Sequence, residues 1–143
     1  MKDSHLIKTG DNVLAFWFEG IPKAKERPRF SNGHVYTPDA TKGSENLIGM
    51  IATRCGCRSI PKHVPVSIRI DFYFKVPASA SKKTVDNLLF RPCLKRPDID
   101  NLIKTVLDGL NGIAYTDDMY VHKVIASKEW TSSESYTAVH IEW

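Results

Sequence analysis

The sequence predicts an α+β fold: a single domain in which a mixed β-sheet packs against two main helices. The chain has 143 residues, the size of one domain with a core of its own. Apolar and polar residues alternate over residues 66–74, as in a half-buried strand. Apolar residues instead recur at helical spacing over residues 98–110, and strand-like and helix-like segments follow one another without an internal repeat. We therefore expect one domain over residues 1–143.

The first part of the chain predicts a strand followed by a basic loop. Residues 1–11 are polar and are expected to form a flexible tail. The apolar and aromatic run over residues 13–19 predicts a buried strand. Residues 21–34 are basic and irregular, with a turn at Asn32-Gly33, and lead into a short piece at residues 34–36.

The first main helix is expected to start at Thr37-Pro38-Asp39, because proline is tolerated in a first helical turn. It should run to about Arg54 and stop at Gly56. Its inward-facing residues are predicted to be Leu47, Ile48, Ile51 and Ala52.

The second part of the chain predicts a strand, a short helix, the second main helix and two closing strands. The strand covers residues 66–74, and a short helix over residues 81–89 lies within the irregular stretch 77–97. The second main helix covers residues 98–110 and stops at Asn111-Gly112. Its predicted apolar face consists of Ile99, Leu102, Ile103, Val106, Leu107 and Leu110. The closing strands are predicted at residues 121–130 and 136–142.

Four carboxylates and one lysine are concentrated around this second main helix. Asp98 and Asp100 lie at its start, Lys104 follows one turn later, and Asp117-Asp118 come after it, where the returning chain could bring them to the helix start. Packing gives little reason to gather these charges. Mg²⁺ binds through a few carboxylate oxygens and leaves positions open for phosphate and water. The pattern predicts a Mg²⁺ site, with Mn²⁺ as a possible substitute, for cutting nucleic acid, with the lysine stabilising charge on the phosphate.

Simpler roles compete with metal binding. Asp98 could cap the helix, which is worth about 1 kcal/mol, and Asp100 and Lys104 could form an exposed ion pair worth at most about 1 kcal/mol. Asp117 is of a residue type common in turns. These roles explain individual residues better than they explain a second acidic pair so close to the helix.

The remainder of the chain is basic, with 20 Lys and Arg against 16 Asp and Glu, which suits a polyanionic substrate. Contacts with DNA phosphates are predicted for Lys23, Lys25, Arg27, Arg29 and Arg96. Phe30 and Tyr36 could stack on exposed bases, although such aromatics more often pack against the fold. Trp17, Phe72 and Phe74 are candidates for the core or for a dimer interface.

Several features bear on the cellular setting. No apolar run approaches the roughly 20 residues that a membrane span requires. The first residues lack the apolar stretch of a secretory signal, and three cysteines cannot all pair within one chain. We expect a cytoplasmic protein with reduced thiols.

The acidic motif also resembles a known family. Its residues are Arg96-Pro97-Asp98-Ile99-Asp100-Asn101-Leu102-Ile103-Lys104, then Leu107-Asp108-Gly109-Leu110-Asn111, then Asp117-Asp118 and Val121. They look like the corresponding part of the RusA family of Holliday-junction resolvases. Residues 20–29 and 36–38 resemble the opening of such proteins more weakly, and the similarity covers residues 15–130.

The resemblance implies a homodimeric, Mg²⁺-dependent endodeoxyribonuclease that nicks opposing strands of a four-way DNA junction in recombination, repair or phage DNA processing. Carried over by position, Asp98, Asp100 and Asp118 are the catalytic and metal-binding acids, and Lys104 is the essential lysine. Asp108 occupies a further acidic position of the motif. No cofactor besides the metal is expected.

Two other hypotheses stay open at this point. The same metal site could act on flaps, other branched intermediates or RNA. Alternatively, the chain could be a non-catalytic DNA-binding module in which the acids serve only as caps and surface pairs.

Overall fold

A computed structural model describes residues 4–25, 27–36 and 38–143. The described residues form seven strands and three α-helices: β1 (Ser4–Gly10), β2 (Val13–Glu19), β3 (Arg29–Ser31), β4 (His34–Tyr36), α1 (Asp39–Arg54), β5 (Val66–Lys75), α2 (Lys82–Leu88), α3 (Ile99–Leu110), β6 (Val121–Thr131) and β7 (Tyr136–Glu142). The α+β class is therefore confirmed. Contacts divide the chain into a sheet unit (residues up to 22, 65–96 and 121–143) and a helical unit (residues 23–64 and 97–120). A single domain over residues 1–143 stays a prediction.

The sheet unit contains a five-stranded sheet in the order β1-β2-β7-β5-β6. β5 and β6 are parallel, and the other neighbours are antiparallel, which confirms the predicted mixed sheet. The alternation along β5 buries every second side chain, including Phe72 and Phe74, so these two aromatics belong to the core. Trp17 is only half-buried, and its ring packs edge-on against the ring of Tyr136, with 5.8 Å between the ring centroids. Trp17 and Tyr136 line a surface cavity of about 650 Å³.

The prediction of a flexible tail over residues 1–11 is wrong for residues 4–10. These residues form the edge strand β1, which pairs antiparallel with β2 from Ser4 opposite Phe18 to Gly10 opposite Val13. The pairing uses backbone amide and carbonyl groups, which every non-proline residue carries whatever its side chain. Leu6 and Ile7 are 46% and 58% exposed, so the apolar side chains of this edge strand do not mark a buried face. Residues 1–3 lie outside the described residues.

The helical unit is built on the packing of α1 against α3. The observed bounds of α1 agree with the prediction, apart from Thr37, which lies outside the described residues. Ile48, Ile51 and Ala52 are buried as predicted, but Leu47 is 40% exposed and its inward assignment is wrong.

The two helices approach each other closely at Gly109. A Cβ atom there would lie 2.9 Å from the Cβ of Ile48 and 3.0 Å from the carbonyl oxygen of Glu45. The buried residues of α3 are Leu102, Thr105, Val106, Gly109 and Leu110. Ile99, which was predicted to face inward, is 37% exposed, and Ile103 and Leu107 are half-buried. Leu102, Val106 and Leu110 are thus confirmed as buried, and the inward assignment of Ile99 is wrong. The buried face also includes Thr105 and Gly109, which were missed because a threonine and a glycine contribute little to a hydrophobic pattern but permit close helix approach.

The basic stretch before α1 is more regular than predicted. Arg29–Ser31 and His34–Tyr36 pair as an antiparallel two-stranded ribbon, separate from the main sheet. Its turn consists of Asn32 and Gly33, both at positive φ (50° and 79°), as expected of an Asn-Gly hairpin turn. The turn prediction is confirmed, and the strand Arg29–Ser31 was missed.

The remaining elements follow the sequence closely. Helix α2 begins after Ser81, whose hydroxyl accepts a hydrogen bond of 3.2 Å from the backbone N–H of Thr84. β2 and β7 have the predicted bounds, and β5 and β6 are each one residue longer than predicted. Among the described residues, no helix has the length and apolar character needed to span a membrane.

Candidate active site

Asp98 occupies the N-cap position of α3 in an extended conformation, with φ −69° and ψ 144°. That conformation suits a capping residue, yet its side chain makes no capping hydrogen bond. The carboxylate is exposed. The backbone of Asp98 therefore starts the helix while the side chain is left for another role, so the capping alternative does not account for it.

Asp100, Lys104 and Asp108 follow at intervals of four residues and lie on one stripe of α3. Asp100 and Lys104 are exposed. Within the described part of the chain, neither side chain forms a hydrogen bond or ion pair, so the predicted exposed pair between them is absent. Asp108 is half-buried and forms an ion pair with Lys25.

The chain after α3 folds back along the helix. Gly112, at φ 79°, allows the reversal, and its N–H donates to the carbonyl of Tyr115 at 2.8 Å. Tyr115 is buried, and its hydroxyl donates to the carbonyl of Leu107 at 2.7 Å. Burial, followed by the nearby negative charge of Asp118 and Asp108, raises the pKa of Tyr115, so the phenol stays protonated and can donate this bond. The returning segment is therefore fixed against α3.

Asp117 and Asp118 have different surroundings at the end of this return. A carboxylate oxygen of Asp117 accepts a hydrogen bond of 2.9 Å from the backbone N–H of Met119, which is the turn role anticipated from sequence. Asp118 begins a short 3₁₀ turn (Asp118–Tyr120) and is half-buried. The pKa of Asp118 is raised by burial, by a hydrogen bond that only its protonated form can donate to Asp117, and by the charges of Asp117 and Asp108, against the opposing effect of Lys104.

These interactions place Asp118 beside the stripe of α3. The side chains on α3 that act on it are Lys104 and Asp108, which lie in the middle and last turns of the helix. The return thus comes back to α3, and the charged side chains of the helix that act on Asp118 lie in its middle and last turns. That the return also reaches the helix start stays a prediction. Asp98 and Asp100 are positioned by the first turn of the same helix.

The carboxylates supply the oxygen ligands that Mg²⁺ prefers. In the described residues, no group of three or more His, Cys, Asp or Glu is arranged to hold a metal ion. Mg²⁺ is usually bound through one or two carboxylates together with water and substrate phosphates, so a cage of three protein ligands is not required. The carboxylates of Asp98 and Asp100, which have no partner among the described residues, suit such an open site. The metal roles of Asp98, Asp100 and Asp118 stay predictions.

Lys25 has a position that sequence reasoning missed. Its ammonium lies 2.5 Å from a carboxylate oxygen of Asp108 and 2.9 Å from one of Glu45, and all three side chains are only 20% exposed. Its backbone N–H also donates to the carbonyl of Asn101 at 3.1 Å. Burial works to lower the pKa of Lys25, but the hydrogen bonds and attraction of the two carboxylates outweigh it and raise the pKa. Lys25 therefore ties the basic stretch to α1 and α3.

The remaining predicted DNA contacts lie in exposed positions. Lys23 and Arg27 flank Lys25, and Arg29 is the first residue of the β3–β4 ribbon. Arg96 is exposed two residues before Asp98 in the chain. Their spacing suits phosphate contacts, and their role in DNA binding stays a prediction.

Comparison with known proteins decides the family. The family model described as endodeoxyribonuclease RusA matches residues 19–142, a region that contains α3 and all the acidic positions above. The chain belongs to the RusA endodeoxyribonuclease family. The resemblance seen in the sequence is thereby confirmed, and this RusA-family chain is a nuclease of the hydrolase class. It is also 34% identical over 126 residues to the uncharacterized protein YqaN of Bacillus subtilis (strain 168), covering 82% of this chain and 87% of that protein.

Proposed function

We propose that this RusA-family nuclease is a Mg²⁺-dependent endodeoxyribonuclease that resolves four-way DNA junctions by paired symmetric nicks, in recombination, repair or phage DNA processing. One observation carries the proposal beyond family membership. Asp98 and Asp100 are placed at the start of α3 with carboxylates that no hydrogen bond or ion pair of the described residues engages. An acid that serves only as a helix cap or in a surface ion pair would form the corresponding hydrogen bond or ion pair. The arrangement therefore favours catalysis over a non-catalytic DNA-binding module.

The chain's own residues would divide the work as follows. Asp98, Asp100 and Asp118 would hold Mg²⁺, which supplies Lewis-acid chemistry and a nucleophilic water when bound. Lys104 is exposed and near enough to Asp118 to act on its charge, so it would stabilise negative charge that develops on the scissile phosphate. Asp108 would be a positioning residue, because its carboxylate is already held by Lys25.

The proposal includes a homodimer. A four-way junction must be cut on two opposing strands, and one helical unit contains one set of these acids. A two-fold dimer presents the same site twice, once to each strand. The dimer is tested by measuring the molar mass of the protein in solution. A monomeric mass at the concentrations that cut junctions would contradict it.

A second candidate substrate class keeps the same chemistry. The metal site and its lysine act on a phosphodiester, so flaps, other branched DNA and RNA could be cut by the same groups.

The test is a side-by-side cleavage assay in Mg²⁺ and in Mn²⁺ on a fixed four-way junction, a flap, a linear duplex and a branched RNA, each at the same ionic strength. We expect cutting of the junction in preference to the other three. Equal or faster cutting of the flap or the RNA would move the assignment to that substrate class.

A further inference from the structure

The β3–β4 ribbon exposes an apolar face that the proposed catalytic chemistry does not use. Phe30 and Val35 are directly opposite each other across the ribbon, and they therefore point to the same face. Phe30 is 74% exposed and Val35 is 71% exposed. Arg29 is paired with Tyr36 and points to the other face. A two-stranded ribbon this small cannot bury either face by itself.

The ribbon is held close to the candidate active site within the helical unit. The backbone N–H of Lys25 is bonded to the carbonyl of Asn101 in the first turn of α3, and its ammonium is bonded to Asp108 in the last turn. The ribbon starts at Arg29, four positions after Lys25, and an extended chain of that length spans at most about 14 Å. The tether therefore fixes the base of the ribbon near the helix that carries the acids.

The charge around the ribbon favours DNA as its occupant. Lys23 and Arg27 are exposed in the stretch that leads to it, and Arg29 lies on the ribbon itself. Cations at this spacing suit contacts to a phosphate backbone. A two-stranded ribbon has dimensions that a DNA groove admits, and an exposed aromatic ring can stack on any unpaired base. At the branch point of a junction, bases are more easily unstacked than within a duplex.

We infer that the ribbon is a branch-recognition element, in which Phe30 stacks on a base at the branch point and Val35 supports the ring. This inference rests on the proposed function, because it takes branched DNA as the substrate. It assigns discrimination between branched and linear DNA to a site separate from the carboxylates. Removing the ring of Phe30 would remove the stacking on one base. The affinity of the protein for the junction should then fall by roughly 5- to 150-fold, with little change in its affinity for a linear duplex.

The test uses binding, so that it does not depend on cleavage. A four-way junction with 2-aminopurine at the branch point is titrated with wild-type protein and with Phe30→Ala in buffer without divalent metal, and a linear duplex is titrated in parallel. We expect the wild type to change the 2-aminopurine fluorescence and Phe30→Ala to lose that change. Phe30→Trp should restore it, because the ring stacks in the same way. Leu94→Ala is the control, since Leu94 is 92% exposed in the sheet unit.

Four results would overturn the inference. Phe30→Ala could give the wild-type signal, it could lose junction and duplex affinity equally, or Leu94→Ala could show the same loss. A change of solution mass in Phe30→Ala would also overturn it, by making the ribbon a contact between subunits. If the Phe30-dependent signal is present while no junction is cut in Mg²⁺ or Mn²⁺, the proposed function fails and the ribbon assignment stands.

Discussion

Replacing Lys25 by methionine should destabilise the protein, because the substitution leaves two carboxylates without their cation. Asp108 and Glu45 lie within 2.9 Å of the ammonium, and the three side chains are 20% exposed. Exposed ion pairs contribute up to about 1 kcal/mol, whereas breaking a fully buried pair costs about 3–5 kcal/mol. The partial burial places Lys25→Met between these limits, at about 2 kcal/mol. For a chain of 143 residues this corresponds to a decrease in Tm of about 7 °C.

The control is Lys23→Met, which removes the same charge two residues away from an exposed position. Its Tm should stay within about 2 °C of the wild type, because surface substitutions change stability by at most about 0.5 kcal/mol. Tm is measured for both variants by differential scanning calorimetry at pH 7. An equal decrease in Tm for Lys23→Met and Lys25→Met would refute the reasoning.

The pH dependence of the difference between wild type and Lys25→Met follows from the raised pKa of Lys25. A cation whose pKa is raised by folding contributes stability that is fully present below its unfolded pKa and is lost as pH rises through the folded pKa. The difference in unfolding free energy should therefore be constant from pH 6 to 8 and should shrink only in alkaline solution, above the ordinary lysine value of 10.5. Urea unfolding across this range provides the measurement, and a gap that closes near neutral pH would be contrary to the account.

The salt dependence of DNA binding distinguishes two roles of Lys25: the phosphate contact predicted from sequence and the ion pair seen in the structure. Lys23→Met should reduce the slope of log affinity against log salt by about 1, as expected for loss of one phosphate contact. Lys25→Met should leave that slope unchanged at temperatures where it is folded. If Lys25→Met instead reduces the slope and keeps the wild-type Tm, Lys25 is a phosphate contact, as the sequence alone suggested.

Two further predictions concern acidic repulsion and helix packing. Asp118→Asn should raise the free energy of unfolding at pH 7 by up to about 1 kcal/mol, because the raised pKa of Asp118 means that its ionised form opposes folding. The same substitution should abolish cleavage. Urea unfolding should show that the gain in stability disappears as the pH falls below about 4. A gain that persists at pH 3 would contradict this sign. Gly109→Ala should lower the free energy of unfolding by about 2 kcal/mol, because the new Cβ would lie 2.9 Å from Ile48. Gly43→Ala in α1 is the control: its Cβ would meet nothing within 4 Å, so the substitution should stabilise the helix by about 0.5–1 kcal/mol. Thermal unfolding of both variants tests the pair, and a stable Gly109→Ala would argue against the close approach.

The elements that the sequence predicted well are those with a strong periodic pattern. β2 and β7 were predicted to the residue, and α3 was predicted with Asp98 as its first residue, which the structure places at the N-cap. Local chemistry was sufficient for these elements. The turn at Asn32-Gly33 was also predicted, because few residue pairs adopt two successive positive φ angles.

The features that were missed depend on contacts between distant residues. β1 is held by backbone pairing to β2, which depends on amide and carbonyl groups that every non-proline residue carries. Lys25 finds partners 20 and 83 residues away, and nothing in a basic loop indicates which lysine will be paired. The sequence placed the acids on and after α3 correctly, but it could not show that Asp118 would lie beside Lys104 and Asp108, since that depends on how Tyr115 anchors the return.

One comparison tests most directly whether the carboxylates of α3 are the centre of DNA cleavage. Wild-type protein, Asp100→Asn and Asp39→Asn are incubated with a four-way junction labelled at each strand end in Mg²⁺. Asp39 is the matched control, because it is an exposed aspartate in the first turn of the other main helix. We expect paired symmetric nicks from wild type and Asp39→Asn, and none from Asp100→Asn, which should bind the junction as tightly or more tightly. Undiminished nicking by Asp100→Asn, or binding without nicks by the wild type, would contradict the account.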